Sequence, residues 1–206
     1  AIEWICTIFM ILAGINFSLY FKLFTGNGKE LTSNTEFKAY LGILLTSIFI
    51  VTFANLEQYQ SFFTSLRYSS FHVASIMSTT GFATQNYLEW IPLAQIILFF
   101  LMFIGGSSGS TSGGVKVIRW VILAKQATNE SLKMLHPHGI FSIRLNGRAG
   151  RNHVVYNVSA FFFLYALLVL ITAIITSIGG SDLLTSFTAS LSMVGNIGPG
   201  FGKVGP

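Results

Sequence analysis

Apolar residues in this chain gather into runs separated by short polar stretches, and the lengths of those runs carry the first information. Residues 5–24 form one run, with Gly14 and Asn16 inside it, and residues 37–55 form a second after a polar loop at 25–36. A third long run covers 156–178. At about 1.5 Å of rise per residue, each is long enough to cross a bilayer core roughly 30 Å thick, so each predicts a membrane-spanning helix. Two further apolar stretches, 67–78 and 182–194, are shorter. They are too short to cross and too apolar for a loop, a combination that predicts buried or re-entrant segments.

Residues 90–104 begin another helix, which runs into Gly105-Gly106-Ser107-Ser108-Gly109-Ser110-Thr111-Ser112-Gly113-Gly114 before apolar sequence resumes over 115–124. The part ahead of the glycines rises only about 21 Å, so the break is expected inside the bilayer. Non-helical backbone survives at that depth only where protein or a water-filled cavity surrounds it. A flexible linker outside the membrane is the competing reading, but it leaves 90–104 too short to cross.

The order of span, short segment and glycine turn occurs twice, at 37–82 and at 156–199. Aligning the turn glycines gives an offset of 117 residues, which pairs Gly81 with Gly198, Thr80 with Ile197 and Thr79 with Asn196, and sets Ser75-Ile76-Met77 opposite Ser192-Met193-Val194. Such an internal repeat has a physical meaning. A half-length helix points the negative end of its dipole into the membrane, and an extended turn after it lines up carbonyl oxygens that replace the water shell of a cation. Glycine permits the backbone conformation that aims those oxygens inward. The Thr79 hydroxyl and the Asn196 amide oxygen are candidate additional donors.

Composition agrees. The chain is 52% hydrophobic and only 9% charged, against about 25% charged in an ordinary soluble domain, so bilayer is the expected solvent. The formal net charge of +5 does not point to nucleic acid, because the cations lie between apolar runs, where they set orientation. Lys22, Lys29 and Lys38 flank the first loop, and Lys116, Arg119, Lys125, Lys133, Arg144, Arg148 and Arg151 flank the second. Loops 25–36 and 125–151 are therefore expected on the cytoplasmic side, with the short segments entering from the periplasm. Cys6 is the single cysteine, so neither a disulfide framework nor a cysteine metal site is available. The chain opens on Ala1 and stops at Pro206, which reads as a piece of a longer polypeptide.

Enzymatic chemistry is not indicated. Gly105-Gly106-Ser107-Ser108-Gly109 fits the Gly-x-Ser-x-Gly pattern of a hydrolase elbow, but an apolar helix precedes it where a strand is needed. His136 and His138 fall in the loop and His72 in a short segment. An intramembrane serine hydrolase is thus a remote alternative. His72 reads as a hydrogen-bonded packing residue, and His136, His138 and His153 lack metal-ligand spacing. Lys116 and Arg119 read as side chains that snorkel to the inner interface.

Together, Thr79-Thr80-Gly81-Phe82, the Gly105–Gly114 stretch running into Val115-Lys116, Leu135-His136-Pro137 and Asn196-Ile197-Gly198-Pro199-Gly200 resemble the Trk/Ktr/HKT superfamily of potassium transporters, and within it the bacterial TrkH-type membrane subunit. The resemblance implies an all-α integral membrane protein of repeated membrane helix–pore helix–membrane helix units with re-entrant pore loops. Residues 1–24 would be the last helix of a second repeat, 37–126 a third repeat, 127–151 a cytoplasmic basic connector, and 152–206 a fourth repeat cut after its filter. It implies potassium as the transported ion, held at Thr79, Thr80, Gly81, Asn196, Ile197 and Gly198 in filter turns that include Phe82 and Pro199. Gly105, Gly106, Ser107, Ser108, Gly109, Ser110, Thr111, Ser112, Gly113, Gly114 and Lys116 would form the gate loop, with Ser110, Thr111 and Ser112 as candidates for hydrogen bonds across the closed pore. Expected partners are membrane lipid, the remaining repeats, a second copy in a homodimer and a cytosolic nucleotide-binding regulatory subunit; no cofactor is expected. A sodium-preferring or sodium-coupled relative of the same fold is the alternative.

Overall fold

The computed structural model describes residues 1–136, 139, 141–146, 148–149 and 152–206. Ten α-helices and one small antiparallel ladder follow one another among them. Two helices are long and apolar enough to cross a membrane: α4 (Thr35–Ala54) and α9 (Asn152–Ile178). Helix α9 turns Leu164, Leu167, Leu168, Ile171, Ile174 and Ile175 outward, the surface expected of a helix whose solvent is lipid.

The first apolar run is not one straight helix. It divides into α1 (Ile2–Ala13) and α2 (Phe17–Phe24), which meet at 93°. Asn16 causes the restart: it is extended, and its side chain accepts from the Ser18 N–H at 2.8 Å, which makes it the N-cap of α2. The end of α1 would leave its last carbonyls without partners. Instead, Ile11 O accepts from the Tyr40 hydroxyl at 3.0 Å, Leu12 O from the Tyr20 hydroxyl at 2.6 Å, Ala13 O from Thr111 Oγ1 at 3.3 Å and Gly14 O from the Ser107 N–H at 2.8 Å. Gly14 has to be glycine, since a Cβ there would overlap the Tyr40 hydroxyl.

After the short α3 (Lys29–Ser33), Asn34 caps α4 by accepting from the Phe37 N–H at 2.9 Å. Helix α5 (Leu56–Tyr59) leads into α6 (Phe62–Met77), the first half-length helix, which is longer at its start than the 67–78 expected from hydropathy. The hydropathy pattern hides that beginning because Thr64 and Ser65 interrupt it; Ser65 is nevertheless buried, and its Oγ bonds Thr52 O on α4 at 2.7 Å. A 3-10 turn at Tyr87–Glu89 precedes α7 (Pro92–Leu101). Helix α8 (Val117–Leu135) extends well beyond 124, so the basic connector begins as helix. Strands β1 (Arg144–Leu145) and β2 (Arg148–Ala149) form the one departure from an all-α chain. Asn146 beside them accepts from the Thr35 N–H at 2.8 Å, which ties the connector to the start of α4. Pro137, His138, Gly147, Gly150 and Arg151, which belong to the expected connector, lie outside the described residues, as does Ile140.

The second half-length helix, α10 (Leu183–Gly195), packs along α9 as α6 packs along α4. Tyr40, Leu44, Val51, Val73, Met77, Leu98, Leu191 and Ile197 share one core, so both short helices are embedded in the same body. Asp182 caps α10, accepting from the Thr185 N–H at 3.2 Å. Hydrogen bonds from the Thr185 side chain and then its amide hold the Asp182 carboxyl below its ordinary value of 3.8. A carboxyl depressed in the folded state stabilises fully above that ordinary value and stops doing so as pH falls through the lowered one. Asp182→Ala is therefore expected to lower the thermal unfolding temperature in detergent at neutral pH, with the gap from the parent protein closing in acid.

Candidate functional site

The two half-length helices end in the same way. Thr79 N–H bonds Ile76 O at 3.1 Å and Thr80 N–H bonds Ser75 O at 2.9 Å; Asn196 N–H bonds Met193 O at 3.1 Å and Ile197 N–H bonds Ser192 O at 2.8 Å. These are paired Schellman-like caps, residue for residue at the offset of the sequence repeat. The residue that reverses the chain has positive φ in both, +55° at Thr79 and +54° at Asn196, and so does the glycine two places on, +80° at Gly81 and +112° at Gly198. Asparagine tolerates this region, but a β-branched threonine there is strained.

The two turns lie against each other. A Cβ on Gly81 would overlap Ile197 O, and one on Gly198 would stand 3.2 Å from Gly81 Cα. Buried serines brace both turns from behind: Ser75 Oγ donates to Phe82 O at 2.6 Å and Ser192 Oγ to Gly198 O at 2.7 Å. The Tyr87 hydroxyl reaches across to Gly200 O at 2.5 Å, which ties the segment after the first turn to the one after Pro199. Among the described residues, the carbonyl oxygens of Thr79, Thr80, Gly81, Asn196 and Ile197 accept no hydrogen bond. Thr80, Phe82, Asn196 and Gly198 are exposed, whereas Ile197 is buried. The arrangement offers main-chain oxygens to water or a cation at the negative ends of two helix dipoles.

The glycine–serine stretch lies against these turns and is internally bonded rather than flexible. Gly105 N–H bonds Val115 O at 2.9 Å and Val117 N–H bonds Gly106 O at 3.1 Å, closing the base of the loop. Gly106 N–H donates to Ser112 Oγ at 2.8 Å, and Ser110 Oγ meets both Ser112 Oγ at 2.7 Å and Ser107 O at 2.6 Å. The bonds of Ser110 and Ser112 thus run within the loop, and Thr111 reaches Ala13 O, whereas the sequence suggested bonds across a pore. Gly113 N–H donates to Thr79 Oγ1 at 2.6 Å, so the Thr79 hydroxyl faces the loop. A Cβ on Gly113 would stand 2.5 Å from Gly195 O and 3.1 Å from Asn196 Cβ. The loop therefore touches the ends of both half-length helices at one glycine, and Gly114 beside it has φ +63°.

Lys116 does not extend away to an interface: its Nζ donates to Ser112 O. Arg119 lies over the Phe161 ring, 3.7 Å from its centroid. The His72 ring is buried, with its nitrogens 2.9 Å from Tyr68 O and 3.0 Å from Gln85 O and its edge packed on Tyr87 and Trp90, a packing role as expected. Among the described residues no three His, Cys, Asp or Glu side chains converge.

Two participants escape the sequence reading. The Gly14–Asn16 break receives the loop: besides Ser107 on Gly14 O, the Phe17 N–H bonds Gly109 O at 3.1 Å. Its signal was visible as a glycine and an asparagine within one apolar run. Glu36 looked like the end of a polar loop, yet it is buried, and Oε1 accepts from the Ser108 N–H at 2.5 Å and the Ile118 N–H at 3.2 Å. No local pattern announces partners so distant in sequence.

Residues 49–205 match the family model of TrkH, described as a cation transport protein. The Trk system potassium uptake protein TrkH of Salmonella typhimurium is 35% identical over 98% of this chain and 43% of its own length. The protein of the same name from Escherichia coli strain K12 is 33% identical, also over 98% of this chain and 43% of its own length. The crystal structure of the potassium transporter TrkH from Vibrio parahaemolyticus superposes with a TM-score of 0.91 at 32% identity, covering 98% of this chain and 44% of that one. The chain thus spans less than half the length of the relatives it matches.

Replacing Thr79 by valine is expected to leave the Gly113 N–H without its acceptor and to cost about 1–3 kcal/mol of stability, while Thr79→Ser keeps the bond and stays near the parent. Thermal unfolding of the two variants in detergent measures the difference.

Proposed function

The chain belongs to the TrkH family of cation transport proteins, and on that premise we propose that it supplies two filter turns and the gate of a pore for potassium uptake across a bacterial inner membrane. Residues 37–126 act as one pore repeat and 152–206 as part of another, with 1–24 belonging to the repeat before them. Thr79, Thr80 and Gly81 in one turn and Asn196 and Ile197 in the other present carbonyl oxygens to the dehydrated ion; Gly198, whose carbonyl already accepts from Ser192 Oγ, shapes the second turn, and Phe82 and Pro199 carry the chain out of each turn. Gly105–Gly114 with Lys116 closes the path below. The basic loops 25–36 and 125–151 face the cytoplasm, where a nucleotide-binding regulatory subunit would meet the second of them, and the membrane subunit works as a homodimer.

The observation that carries this reading is the matched pair of caps, with four positive-φ residues at equivalent positions and the Gly–Ser loop against both. Two helices that merely ended in glycine turns would not need the same left-handed residue two positions earlier, nor free carbonyls on facing strands. Potassium is favoured over a smaller ion because the relatives are potassium uptake proteins.

Substituting Gly81 by alanine in the full-length protein forces a side chain into a left-handed position against the facing carbonyl, at roughly 1–3 kcal/mol for the strain alone. The preference for potassium over sodium is expected to fall about tenfold, read from competitive uptake in proteoliposomes; an unaltered preference would remove Gly81 from the filter. Deleting Ser110, Thr111 and Ser112 is expected to raise flux several-fold at unchanged preference, since roughly 1 kcal/mol per lost bond no longer holds the loop shut. Unchanged flux would show that the loop is no plug.

A further inference from the structure

With 105–114 read as a gate, bonds to Gly14, Phe17, Ala13 and Thr79 dock the loop on its neighbours, and a further contact, to Glu36, joins its two limbs. We infer that Glu36 is the positioning residue that latches the loop, acting on it from a different helix. Three observations converge on it. First, one carboxylate oxygen accepts from both limbs of the loop, from the Ser108 N–H at 2.5 Å and from the Ile118 N–H at 3.2 Å. Those two residues bracket the loop apex, so a single acceptor fixes the distance between the limbs. Second, Ile118 lies in the first turn of α8, whose own N-cap position, Lys116, contributes no side-chain cap. Glu36 therefore caps α8 from outside, where the positive end of the helix dipole favours a carboxylate. Third, Glu36 is 7% exposed, and no cation lies within ion-pair distance of it among the described residues. Lys116 is spent on Ser112 O instead.

The carboxylate thus relies on the loop's own N–H groups. Charge-assisted bonds of this kind are about twice as strong as neutral ones, and withdrawing them leaves a buried carboxylate with no hydrogen-bond donor and only Lys116, beyond ion-pair distance, to offset its charge. Opening must break both bonds or carry them along together. Helix α4 makes a firm post for such a latch: Asn34 caps it, Asn146 holds the Thr35 N–H, and its next buried side chain, Tyr40, fills the break between α1 and α2 where the loop docks. The post and the loop's docking site therefore move as one unit.

The test uses the full-length protein with two readouts, amide hydrogen exchange across 105–118 and potassium flux in proteoliposomes without regulatory activation. Glu36→Ala is expected to raise exchange and flux about tenfold, the equivalent of one charge-assisted bond, with potassium-over-sodium preference unchanged. Glu36→Gln, which keeps the shape and loses the charge, is expected to fall between Glu36→Ala and the parent; it carries the test should Glu36→Ala not fold. Parent-like exchange in a folded variant overturns the latch. Faster exchange with parent-like flux keeps the latch and overturns the gate reading on which it rests. A rise in flux that comes with lost ion preference also overturns the proposal, because Glu36 would then be acting through the filter turns.

Discussion

A main-chain polar group inside a bilayer needs a partner, and that requirement organises this structure more than any side-chain contact does. Helices satisfy it by themselves; breaks do not. The chain breaks at four places near the middle of its body: after Ala13, after Met77, after Leu101 and after Gly195. The first and third breaks satisfy each other, through Ser107 to Gly14, Phe17 to Gly109 and Thr111 to Ala13. The second and fourth break into facing turns in which the carbonyls of Thr79, Thr80, Gly81, Asn196 and Ile197 have no protein donor, while those of Phe82 and Gly198 are held by Ser75 and Ser192. The difference separates breaks that seal each other from breaks that keep some carbonyls free.

Packing follows from this pairing. Tyr40 and Tyr20 supply hydroxyls to the end of α1, and the serine faces of α6 and α10 supply hydroxyls to their supporting helices and to the backs of the turns. In a soluble protein such a load of buried hydroxyls would be costly relative to apolar side chains. Here these hydroxyls answer main-chain carbonyls, so polar residues act as structural material in the interior while leucine and isoleucine cover the outside of α9.

Much of this was legible in the sequence because it is written in lengths and glycines. The runs at 37–55 and 156–178 became α4 and α9, and the 117-residue offset reappeared in the dihedral angles of Thr79, Gly81, Asn196 and Gly198. What hydropathy missed has physical causes. The bend at Gly14–Asn16 lies in residues as apolar on average as a straight span, and only the N-cap geometry of Asn16 turns the chain. The beginning of α6 was concealed by Thr64 and Ser65, which look like loop, although Ser65 bonds α4. Helix α8 continues into the basic stretch because nothing between Lys125 and Leu135 breaks it. Glu36 could not be identified at all, since its partners are more than seventy residues away and its burial is a property of the assembled fold.

The equivalence of the two turns is one of backbone and not of side chain. At the left-handed position one turn carries a threonine whose hydroxyl is engaged by Gly113, and the other an asparagine that lies beside the same glycine without a hydrogen bond to it. Withdrawal of the loop therefore acts on unequal neighbours. One turn loses a directed bond and is left with a conformation that threonine resists; the other loses only van der Waals support and keeps a geometry asparagine accepts. Relaxation should be lopsided, beginning in the turn of Thr79, a sequence of events unavailable to a pair of identical turns.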